Sequence, residues 1–310
     1  MPATTPSRPW GGPLRWFGTT GLIAAVVVAI GARLGPGPAL ADEGFDPNDA
    51  RLDEAAALAS DLGIPFRAVR FADFAVVSDL PSDRLDVHGA TLAEAGSDFF
   101  EAMSRLGLET HRPARPLIVV IFSDHREFVA FAQRADGVEA HWMGGYYASG
   151  SNHAVMYDDL GGPEFLQAAD QGLCPGEVRA QAARATREKI RHEAAHLLAF
   201  NCGVQSRTGD HPLWLTEGLA ESFARGALSG SPGQSATARH DDDPVRAFYE
   251  QSRAAVDAIV HSDPARLAEY LRSARAAFAV GAPAAFDLPR PPGASGDPGG
   301  PTVSAVDAGR

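Results

Sequence analysis

The sequence predicts an α+β protein, on three observations. Phe66 to Val77 and Leu117 to Phe122 have the β-branched and apolar character of strands. Glu177 to Phe200 lacks glycine and proline and is rich in alanine, arginine and glutamate, so it predicts one long helix. Two more helical stretches follow, Pro212 to Arg225 and Pro244 to Val280. Strands early and helices late imply an N-terminal mixed sheet with its own helices, then a small, mainly helical C-terminal part.

In chain order, Asp49 to Asp61 is an alanine-rich helical pattern. Phe66 to Val77 then reads as one strand, because its apolar residues nearly alternate. Leu85 to Leu106 carries Leu92, Phe99, Phe100, Met103 and Leu106 at helical spacing, with Gly107 as the stop and Gly89 and Gly96 working against the helix. The unbroken apolar run Leu117 to Phe122 predicts a strand covered on both faces, and Ser123 is placed to cap a helix through about Arg134. Tyr146 to Tyr157 reads as a hairpin turning at Gly150, Ser151 and Asn152, with its second arm as the candidate edge strand. The long helix ends at Asn201 to Gly203, and Pro264 breaks the last helical stretch.

The organisation that follows is a signal peptide over 1–41, a sheet-bearing part with the long helix over 42–203, a helical part over 204–286, and a Pro/Gly-rich tail over 287–310 that is expected to be disordered. Arg8 and Arg15 precede the apolar run Gly21 to Ile30, and Ala39, Leu40, Ala41 would place cleavage before Asp42. Export is therefore expected, with a retained N-terminal membrane anchor as the alternative; a cleaved signal would leave no stable membrane association. The chain has 310 residues, 45% of them hydrophobic, enough to bury a sizeable core. Its 27 basic and 39 acidic residues give a formal charge of -12, which argues against nucleic acid or anionic lipid as a partner. Neither cysteine lies just after the apolar run, where a lipid would be attached. Cys174 and Cys202 flank the long helix, roughly 40 Å apart at 1.5 Å per residue, so they are not expected to pair.

The residues that point to chemistry are His192, Glu193, Ala194, Ala195 and His196, an HExxH pattern inside the long helix. His196 lies about 40° around the helix from His192 and one turn on, so both imidazoles can reach one ion. Glu193 points about 100° away, placed to act on a water beside that ion rather than to bind it. A catalytic zinc needs a third ligand and an open position, and the candidate is Glu217 in Trp214 to Glu221 (WLTEGLAE). Glu221 shares the helix face of Glu217 and could accept the free ring N–H of a ligand histidine. His88, His111, His125, His141, His153 and His261 have no partner at metal spacing and are expected to be ordinary surface or core residues.

HEAAHLLAFNCG followed by PLWLTEGLAESF resembles the gluzincin clan of zinc metallopeptidases, most closely bacterial families in which HEAxH, a short loop and WLxEGxAE occur together. His196 and Glu217 are 21 positions apart (217 − 196), similar to thermolysin-like enzymes. The resemblance implies a zincin-like fold over about 66–223, Zn2+ held by His192, His196 and Glu217, Glu193 as general base, and a peptide or protein substrate whose backbone pairs with an edge strand. It implies an endopeptidase, because no segment resembling GxMEN is present to bind a free amino terminus. The oxyanion donor is left open among Tyr146, Tyr147, His211, His240 and Tyr249. Two rival readings stand beside it: a non-catalytic exported binding protein on a zincin fold, and a zinc hydrolase of a non-peptide amide such as cell-wall material.

Overall fold

The computed structural model describes residues 27–28, 47–172, 175–207, 209–229, 244–282 and 288. Within these the α+β class holds, as a mixed sheet with eight α-helices. The proposed cleavage site, Cys174, His240 and nearly all of the proposed tail lie outside the described residues. Among the described residues no helix is long and apolar enough to cross a membrane.

The strands are β1 (Val27–Val28), β2 (Arg67–Phe71), β3 (Phe74–Ser78), β4 (Leu117–Phe122), β5 (Gly145–Ala148) and β6 (His153–Tyr157), in sheet order β1-β5-β6-β4-β3-β2. β3, β4 and β6 run parallel, while β2 and β5 are antiparallel to their neighbours β3 and β6. Among the described residues, only the two of β1 lie outside β5. All six residues of β4 are buried, as a continuous apolar run requires. Val76, Val119 and Ile121 face the core formed with helices α2 (Ser82–Arg105) and α5 (Pro175–Asn201), and Ala75, Val77, Ile118 and Val120 face α1 (Pro47–Leu62).

Three expectations are corrected. The segment from Phe66 to Val77 is a hairpin, not one strand: it turns at Ala72 and Asp73, with Ala72 at φ 49, and folds β2 back on β3. Near alternation of apolar residues survives such a turn, so periodicity could not reveal it. In the Gly145 to Tyr157 hairpin the first arm, β5, lies towards the edge, and the second, β6, sits between β5 and β4. The cap of α3 (His125–Phe131) is Asp124, which accepts from the backbone N–H groups of Arg126 and Glu127; Ser123 bonds Asp79 instead. Helix α4 (Pro163–Asp170) has no counterpart in the sequence reading.

Helix α5 positions the site. Every residue from Lys189 to Ala199 is buried, because α2, the end of the sheet and α6 (Leu213–Ala224) surround that half of the helix. Its register is pinned by the Lys189 ammonium, which donates to the Tyr157 carbonyl at 2.8 Å, lies 3.0 Å from Asp159 and stands over the Tyr157 ring. Thr186 donates to the same Asp159 carboxylate at 2.8 Å. The last stretch breaks at Pro264, into α7 (Pro244–Ser262) and α8 (Pro264–Ala279), with Asp263 capping the second.

Gly89 shows why a helix-weakening residue sits inside α2: a Cβ there would stand 2.2 Å from the Phe71 ring. Gly89→Ala should therefore lower Tm, with about 1–3 kcal/mol of overpacking exceeding the roughly 1 kcal/mol gained in helix propensity. Thermal unfolding of the two proteins measures it, and a higher Tm for the variant would mean that the ring moves aside freely.

Candidate metal centre

The pattern on α5 and the acid on α6 meet inside the protein. His192 Nε2 and His196 Nε2 are 3.0 Å apart, and Glu217 Oε2 is 3.3 Å from the first and 3.4 Å from the second. Among the described residues these three form the one group of His, Cys, Asp or Glu side chains arranged to hold a metal ion. Ligands about 2.0–2.1 Å from a tetrahedral ion are separated by about 3.3 Å, so the triangle has the edges of a three-ligand site. All three residues are buried. Neither Glu217 oxygen has a well-formed hydrogen bond within the protein, an orphaned state that a coordinated cation would resolve.

The electrostatics agree. Burial pushes the His192 imidazole down, but the Glu217 and Glu221 carboxylates outweigh it and raise the group to about 10. His196 is lowered, chiefly by burial, since two imidazoles at this separation do not both carry a proton. Burial raises the Glu217 and Glu221 carboxyls, and the neighbouring histidines more than reverse it, holding both below their ordinary value. The pocket thus keeps negative charge in a dry place, which suits a cation.

Glu193 is fully buried, and neither of its oxygens has a hydrogen-bond partner. Burial, with the Glu217 and Glu221 charges beside it, raises its carboxyl to about 8 against the opposing pull of His192 and Lys189. Beside it lies Gly145, the first residue of β5: a Cβ there would come within 2.9 Å of Glu193 Oε1. Strand β5 therefore starts at the carboxylate, and it does so because Gly145 has no side chain. Glu221 is 3% exposed, so it is not a surface acid. One of its oxygens lies 3.4 Å from His192 Nδ1, a loose contact, and the other accepts from Arg225 Nε at 3.0 Å.

Of the donors left open by the sequence, Tyr249 on α7 lies against the cluster, its ring 6.3 Å from that of His192. Burial first, then the charges of Glu217, Glu193 and Glu221, raise its phenol well above the ordinary value, so it remains a donor. Tyr146 donates its hydroxyl to Asp136, Tyr147 donates its own to Asn152, and His211 stands against Phe278 with Nε2 accepting from the Ser206 backbone. Gly218, next to Glu217, was not singled out from sequence; a Cβ there would stand 2.4 Å from the Ser252 carbonyl. Its absence lets α7, and Tyr249 with it, close over α6. The signals were present, a glycine directly after the acid of WLTEGLAE and the Gly144-Gly145 pair before a strand, but neither states which element approaches.

One further constellation has the residue types of a nucleophilic site and not its geometry. Ser151 Oγ and Asp136 Oδ2 lie 3.1 and 2.8 Å from the same nitrogen of His153, whereas a base oriented by a carboxylate needs them on opposite nitrogens. The group closes the β5–β6 turn. His88, paired with buried Asp158 at 2.7 Å, is likewise structural, and Cys202 is a free, buried thiol.

A model of a protein family of unknown function, DUF1570, matches residues 186–280. That is 95 residues (280 − 186 + 1) of 310, a span that holds His192, Glu193, His196, Glu217, Glu221 and Tyr249. No curated protein matches the chain.

The purified chain should bind about one divalent ion, and His192→Ala or His196→Ala should remove it, as read by elemental analysis. Glu221→Ala should keep the fold, by circular dichroism, and weaken the ion by about 10- to 100-fold in chelator competition. Equal affinities would reduce Glu221 to a partner of Arg225.

Proposed function

We propose that the chain is an exported, zinc-dependent metallopeptidase on a zincin-like fold, an endopeptidase with His192, His196 and Glu217 as zinc ligands and Glu193 as general base. One observation carries the reading: a buried carboxylate without a partner stands beside a His/His/Glu triangle of tetrahedral ligand spacing. Leaving a buried acid unpartnered costs a fold several kcal/mol. A binding protein would have no use for it, whereas a base that must reach a substrate-side water requires it.

Nitrogen and carboxylate ligands of this kind suit zinc. The chemistry zinc supplies when bound is Lewis acidity towards a carbonyl oxygen and a neighbouring water. Glu193 takes the proton of that water as its oxygen adds to the scissile carbon. It then returns the proton to the amine as the C–N bond breaks. Tyr249 donates its phenol hydrogen to the oxygen on which negative charge grows. The edge of β5 beside Gly145 holds the substrate backbone extended against the base.

Glu193→Gln should retain the metal and lose hydrolysis of a casein-type substrate by at least about 10²-fold. Tyr249→Phe should lower kcat by about 10²- to 10³-fold with a smaller change in KM. Cell-wall fragments assayed in parallel separate the non-peptide reading, and hydrolysis at the wild-type rate by Glu193→Gln would remove that residue from the reaction.

A further inference from the structure

A cleft of about 440 Å³ opens where the β5–β6 turn meets the end of α5, and its charged lining is all positive: Arg51, Arg115 and Arg207, with His111 beside them and no acid among the lining residues. Such a concentration is unexpected in a chain of formal charge -12. Arg51 is already paired with Glu54 and also donates to the Asn152 carbonyl at 3.2 Å. Arg207 donates to the Ser149 carbonyl at 2.8 Å, and neither it nor Arg115 has a carboxylate partner among the described residues. The carbonyl end of α5 attracts a cation, but that effect is satisfied by one and does not account for several arginines converging on one cleft.

The floor of the cleft is rigid. The Asn152 and Asn201 side-chain amides bond each other in both directions at 2.9 Å, and Tyr147 donates to Asn152 at 2.8 Å. Asn152 sits at φ 55, a left-handed conformation that asparagine tolerates better than most residues. A cation-lined recess held this firmly is preorganised for an anion, and guanidinium groups match a carboxylate two bonds at a time.

Its position relates it to the metal centre. β5 begins at Gly145, against Glu193, and ends at the turn whose Ser149 carbonyl holds Arg207. Four strand steps (149 − 145) cover about 13 Å. In this structure β1 pairs with Tyr147 and Ala148 on that side of β5, but Val27 and Val28 belong to the segment read as a signal peptide; in the mature chain an extended peptide that takes their place, paired antiparallel to β5 with its reacting bond beside Glu193, runs out over Ser149 on its N-terminal side. We infer that the cleft is a subsite for an acidic residue about four positions upstream of the bond that is cut. The inference rests on the peptidase reading for its register, while the basic cleft itself stands apart from any reaction.

The test uses the mature, zinc-loaded chain and fluorescent peptides that carry glutamate or glutamine at the fourth position upstream. Glutamate should raise kcat/KM by about 5- to 10-fold, chiefly through KM, and the advantage should shrink as salt is raised. In Arg115→Gln/Arg207→Gln, whose changed side chains are exposed, the ratio between the two peptides should fall to about 1. The same ratio in that variant, or an equal gain from glutamate placed downstream of the bond, would overturn the subsite, because the effect would then be general attraction. Peptide binding to Glu193→Gln, read by fluorescence anisotropy, separates the two claims. A glutamate preference there that is lost with the two arginines supports the cleft even if no peptide is cleaved; its absence overturns the cleft even if peptides are cleaved.

Discussion

The imidazoles of His192 and His196 and the carboxylates of Glu193, Glu217 and Glu221 are all 3% exposed or less, and each alone would cost several kcal/mol to take out of water. They are tolerable together because each answers another: imidazole faces carboxylate, and two carboxylates stay ionised through their histidines. What the protein does not supply is a well-formed hydrogen bond to the oxygens of Glu193 and Glu217. That deficit sets the cluster, which could hold a metal ion, apart from a fully matched ion-pair network. The Lys189 and Asp159 pair shows the contrast, since there every charge is matched and the helix is simply fastened to the sheet.

Holding such groups within a few tenths of an ångström requires stiff surroundings on all sides, and α5 has them from Lys189 to Ala199. Two glycines bring the remaining walls close. Gly145 admits β5 to Glu193, and Gly218 admits α7 to α6. At both positions a methyl group would meet a fixed group, the Glu193 carboxylate in one case and the Ser252 carbonyl in the other. The tight approach is therefore bound to the residue type, while the surrounding apolar contacts with Leu197, Leu215 and Leu219 could be repacked with less loss.

The charge pattern adds direction along the same edge. The centre is anionic and buried, the chain as a whole is acidic, and the end of β5 opens on arginines. Long-range repulsion of an acidic ligand is screened within about 8–10 Å at ordinary ionic strength, so a local cleft can attract what the whole molecule repels. Under the proposed register, the His/His/Glu centre and a cationic recess about 13 Å along the strand would distinguish one end of an extended ligand from the other.

Local order was legible in the sequence wherever the signal was periodic. One turn of helix sets the spacing of His192 and His196, and of Glu217 and Glu221, so each pair's common face followed from its spacing; the apolar run Leu117 to Phe122 and the break at Pro264 were read in the same way. Periodicity is blind to a turn that preserves it, which is why β2 and β3 merged into one strand, and to strand order, which is why β6 was assigned to the edge although it lies between β5 and β4. The contact of Tyr249 with the His192 ring, the approaches at Gly145 and Gly218, and the meeting of Arg51, Arg115 and Arg207 all join residues far apart in the chain. The sequence determined which side chains share a helix face, because helix geometry is local and repeats; only tertiary packing decided which of those faces meet, because close approach depends on the shapes of elements that no short stretch encodes.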